Sequence, residues 1–90
     1  MTSADLPEPI RRRMGLPPYA NPVVESIKLE LFANSRAYIR LILLASEGQY
    51  VDPAELVTVA QRAGKVPAVV NEDLNRAVVA YQAWRNSIDP

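Results

Sequence analysis

From Val23 onward, apolar residues recur at spacings of three and four, and no run alternates apolar and polar positions between turn residues. A period near 3.6 marks helices that bury one side, whereas strands would show a period of two. The plainest stripe joins Val70, Leu74, Ala77, Val78, Tyr81, Trp84 and Ile88. Glu72, Asp73, Asn75, Arg76, Gln82, Arg85 and Asn86 occupy the other side of the same cylinder. This predicts an amphipathic C-terminal helix that begins at Pro67 or at Asn71 and continues to about Asn86. Trp84, near its end, reads as a core residue or as an interface anchor.

Residues 23–46 contain neither glycine nor proline. Asn21 is a good helix N-cap, Pro22 suits the first helical position, and Gly48 is a natural stop. A first helix of about two dozen residues is expected, roughly 36 Å long at ~1.5 Å per residue. Its pattern is unusual. Val23, Val24, Ile27, Leu31, Tyr38, Leu41, Ile42 and Ala45 fall on one broad face, while Leu29, Phe32, Ile39 and Leu43 fall on a second, roughly opposite. Two apolar faces require cover on both sides. The other helices can cover one. The second needs the N-terminal segment folding back, or another chain. Between the long helices, Asp52-Pro53-Ala54-Glu55 has the cap, proline and acid of a helix start, and Gly64 follows Ala63 as its stop.

Five of the eight prolines lie within residues 1–22. Proline fixes φ, removes a donor and drives the preceding residue toward extended geometry. The expected organisation is all-α: an extended Pro/Arg-containing arm over residues 1–21, with one helical turn around residues 10–14, followed by a three-helix domain over 22–90.

Composition narrows the chemistry. Ten Lys+Arg balance ten Asp+Glu, so the chain lacks the basic excess usual in proteins that bind phosphate backbones. There is no histidine and no cysteine, which removes the commonest general base, the commonest metal ligand and every thiolate nucleophile. Lys28 and Lys65 sit in no nucleophile motif, and Gly15, Gly48 and Gly64 are too scattered for a phosphate loop. No catalytic residue, cofactor or metal site is expected. The longest near-apolar run, residues 38–45, is interrupted by Arg40 and far short of the ~20 residues of a membrane span. A soluble, intracellular, non-enzymatic chain is the expectation.

The arm carries Arg11, Arg12 and Arg13 interleaved with Leu6, Ile10, Met14, Leu16 and Tyr19, and with Asp5 and Glu8 just before. Apolar anchors mixed with arginines suit a linear peptide lying in a protein groove. Arg36 and Arg40, spaced i, i+4, border the second apolar face of the long helix. The expected partner-binding set is therefore Ile10, Arg11, Arg12, Arg13, Met14, Leu16 and Tyr19 of the arm with Leu29, Phe32, Arg36, Ile39, Arg40 and Leu43 of the helix. The partner would be another protein or a protein assembly. A homo-oligomer built on the long helix is one alternative. Another is a nucleic-acid-binding regulator using Arg11, Arg12 and Arg13 with a degenerate helix-turn-helix at 53–86. Residues 57–79 resemble the DNA-binding unit of bacterial repressors in their Ala60, Gly64 and Val70 spacing. They depart from it at Lys65, where an apolar residue is usual, and at Glu72 and Asp73, which would face phosphates.

Overall fold

A computed structural model describes residues 7–27 and 33–88. Five helices and no strand occur among them: α1 (Glu8–Met14), α2 (Pro22–Ile27), α3 (Ala33–Ser46), α4 (Pro53–Arg62) and α5 (Pro67–Ile88). The radius of gyration is 12.6 Å, close to the ~12 Å expected of a compact chain this long.

Local chemistry accounts for the ends. Asn21 caps α2: its side-chain oxygen accepts from the Val23 N–H at 2.9 Å, and Pro22 follows at the first position, where no N–H is needed. Asp52 does the same for α4, accepting from the Ala54 N–H at 3.0 Å. At the other end of α3, Gly48 takes φ +81. That left-handed turn lets the Gln49 N–H return to the Leu44 carbonyl at 3.0 Å, which satisfies a carbonyl the helix would otherwise leave open. Gly15 closes α1 and Gly64 follows the end of α4 in the same left-handed conformation. α5 begins at Pro67, the earlier of its two expected starts.

The core gathers Val23, Val24 and Ile27 of α2, Tyr38, Ile39, Ile42 and Leu43 of α3, Ala60 of α4 and Ala77 of α5. α3 is the central element: α2, α4 and α5 all pack on it, and α2 also packs on α5.

Two expectations change. The single long helix over residues 23–46 is described as α2 and α3, with residues 28–32 outside the described residues. α2 and α3 touch each other. The N-terminal segment is not extended throughout: residues 8–14 form α1, about two turns where one was expected. Pro7 and Pro9 do not prevent this, because both lie before or within the first turn, where prolines are tolerated.

Candidate interaction surface

The arm divides at Gly15. Upstream, α1 places its three arginines in its last turn, where the negative end of the helix dipole favours cations. Arg12 and Arg13 are exposed, Arg11 is half-buried, and Ile10 is 41 % exposed. Gly15, with φ 71, bends the chain so that the Leu16 N–H meets the Arg11 carbonyl at 2.8 Å.

Downstream, residues 15–21 form a strap across the body. Leu16 packs against the core cluster, and Pro17, Tyr19 and Asn21 are buried. Tyr19 stacks on Trp84 of α5 with ring centroids 5.0 Å apart, and Tyr81 completes the aromatic group at 6.4 Å from Tyr19 and 6.0 Å from Trp84. Such offset pairs each contribute ~1 kcal/mol beyond the area they bury. Trp84 is thus a fastening for the strap. Burial pushes the Tyr19 hydroxyl above the ordinary tyrosine pKa; Asn21 opposes this in part and the Glu47 carboxylate adds to it. Asn21 and Ser46 come near enough to act on the hydroxyl, yet neither the Tyr19 oxygen nor the Asn21 amide nitrogen closes a hydrogen bond.

These positions redistribute the expected partner-binding set. Leu16, Tyr19, Ile39 and Leu43 are spent inside the fold: Ile39 and Leu43 are only 5 % and 6 % exposed. The second apolar face of α3 is therefore covered by the chain itself at the positions described, with the strap contributing. Its exposed remainder is charged, Arg36 and Arg40. Leu29, Phe32 and the side chain of Met14 lie outside the described residues. What stays outward is Ile10, Arg12 and Arg13 on α1 with Arg36 and Arg40 on α3, and the side chains of Arg13, Arg36 and Arg40 make no hydrogen bond or ion pair with another described residue.

One cleft lies between the strap and α3, with Arg40 on its rim. Residues 15–18 form one wall, and Arg40, Leu43, Leu44 and Glu47 form the other, around about 240 Å³. A second, shallower and almost wholly apolar depression of about 370 Å³ lies on α5 beside Pro22, around Val79, Ala80 and Ala83. Val79 is 67 % exposed. Sequence periodicity passes over it, because Val79 stands off the buried stripe next to Arg76.

The α4–α5 hairpin meets part of the repressor-like spacing. Ala60 is buried, Gly64 occupies the turn at φ +77, and Val70 packs on the core. Lys65, in the turn, places its ammonium 5.8 Å from the centre of the Tyr38 ring. Asp73 corrects the expected polar side of α5. It is 5 % exposed and accepts a 2.6 Å hydrogen bond from the Tyr38 hydroxyl. A polar residue turned inward against a distant tyrosine leaves no trace in a helical period. Glu72 alone of the two acids faces outward.

Among the described residues no cluster of acidic side chains is arranged to hold a metal ion, and no helix is long and apolar enough to cross a membrane. No family model, curated protein or solved structure matches the chain.

Proposed function

We propose that this chain is a small, non-enzymatic interaction subunit that docks on a larger protein through an arginine edge: Ile10, Arg12 and Arg13 of α1 with Arg36 and Arg40 of α3. It acts as an assembly factor, accessory subunit or inhibitor. The observation that carries this reading is the fate of the arm. Its apolar second half is consumed by the body, while Arg12 and Arg13 stay exposed on α1, as do Arg36 and Arg40 on α3. The chain's net charge is zero, yet all four of these exposed cations are arginines. Arginine rather than lysine suits it to carboxylates, which the planar guanidinium grips through two parallel hydrogen bonds.

Because Leu16, Pro17 and Tyr19 are part of the body, deleting the whole arm would confuse docking with folding. The cleaner test is Arg12→Glu with Arg13→Glu in the full chain, followed by affinity capture from the native host. The expected result is loss of the proteins that the unmodified chain captures. Undiminished capture of the same proteins would rule the arginine edge out.

A nucleic-acid regulator is the second reading. The inward turn of Asp73 favours it, by removing one of the two acids that would repel phosphates. Exposed Glu72 and the balanced charge weigh against it.

A further inference from the structure

We infer that the cleft between the strap and α3 is the specificity pocket of that docking surface, and that it takes a partner peptide in which a single Asp or Glu neighbours an apolar side chain. This rests on the protein-docking reading above and narrows it to one site and one kind of ligand.

Three features of the cleft define its occupant. The first is size. About 240 Å³ falls below the ~300 Å³ at which pockets for small molecules and cofactors begin, so it suits one or two side chains of a bound chain. The second is the wall. Leu16, Pro17 and Pro18 face Leu43 and Leu44 across it. The prolines have no N–H, so the apolar wall supplies few donors and favours an apolar side chain. The third is polarity along the axis. Arg40 and Glu47 both line the cleft, and seven residues of helix separate them by ~10 Å. Arg40, exposed and without a partner among the described residues, attracts a carboxylate at one end. Glu47 repels a second acid at the other and accepts a peptide N–H or a cationic side chain.

The ligand therefore has a direction: acid at Arg40, apolar residue between the walls, no acid at Glu47. Arg36, one turn back on α3, extends the cationic end. A nucleic-acid strand fits less well. Its phosphates would pair with the arginines but would meet Glu47 about two turns on, and would gain nothing from the apolar walls.

The test is selection of a random twelve-residue peptide library displayed on phage against the full chain, with counter-selection on Arg40→Glu. Enriched peptides are then synthesised and titrated by fluorescence anisotropy. The expected outcome is enrichment of sequences with Asp or Glu within two residues of Leu, Ile, Met or Phe. Their affinity should fall at least about tenfold on Arg40→Glu and on Arg40→Gln, with the Trp84 emission of both free variants unchanged. Absence of enrichment, enriched peptides without acids, or equal binding by Arg40→Glu would each overturn the assignment. So would tighter, Arg40-dependent binding of a 20-base-pair DNA duplex. Peptides that bind through Arg12 and Arg13 but ignore Arg40 would remove the cleft while leaving the protein-docking reading in place.

Discussion

At the residue scale, the Tyr38–Asp73 hydrogen bond ties α3 to α5 across 35 residues of sequence. Both side chains are buried, and a carboxylate in such a place is costly unless a donor meets it. Removing the hydroxyl leaves the acid without this donor. Tyr38→Phe should therefore lower the unfolding free energy by about 2–3 kcal/mol, and adding Asp73→Leu should recover part of that loss, because both polar groups are then gone. The same variant has a pH signature. Burial first, and Asp73 second, raise the Tyr38 pKa above the ordinary tyrosine value, and burial raises that of Tyr19. A phenol is neutral when protonated, so the folded chain holds these protons more tightly than the unfolded chain does. The associated stability is fully present below pH ~10 and falls as pH rises beyond it, by roughly one kcal/mol per pH unit for Tyr38. Urea unfolding between pH 9 and pH 12 should show that decline, and Tyr38→Phe should flatten it. An equal slope in the variant would mean that Tyr38 does not contribute.

At the element scale, the caps were legible in the sequence and the long-range partners were not. Asn21-Pro22, Asp52-Pro53 and the glycine stops each act through a neighbour a few residues away, so their letters carry their own geometry. The C-terminal stripe was readable for the same reason, apart from Ile88, which is 58 % exposed. The long helix expected over 23–46 is described as two elements, α2 ending at Ile27 and α3 starting at Ala33, and helical period alone does not set such bounds. A glycine at φ > 0 is also a testable element. A left-handed residue with a Cβ costs roughly 1 kcal/mol relative to glycine. Nothing lies within 4 Å of where a Cβ at Gly48 would sit, so packing does not add to that cost. Gly48→Ala should lower the urea midpoint by the equivalent of about 1 kcal/mol without changing the helical circular dichroism of the folded chain. A neutral substitution would show that the left-handed turn does not stabilise the end of α3.

At the scale of the whole molecule, the arm is two things joined at Gly15. The sequence placed it as a single extended peptide because prolines, arginines and apolar residues alternate through it without a break. What separates them is tertiary. Leu16, Pro17 and Tyr19 find the flank of α3 and the aromatic rings of α5, more than sixty residues away in sequence, while Arg12 and Arg13 end a short helix at the surface. The candidate site was thus readable as a list of side chains but not as a division between inside and outside. Ile39 and Leu43 went to the core. Arg36 and Arg40 stayed on the surface.

That division is the central claim, and the single tryptophan reports on it directly, since Trp84 stacks on Tyr19. The decisive measurement is urea unfolding of full-length variants followed by Trp84 fluorescence. Tyr19→Ala should cost about 3 kcal/mol and shift the folded-state emission to longer wavelength, whereas Ile10→Ala combined with Arg12→Ala and Arg13→Ala should stay within about 1 kcal/mol of the unmodified chain. A neutral Tyr19→Ala with unchanged emission, or a triple variant that costs as much as Tyr19→Ala, would contradict the account.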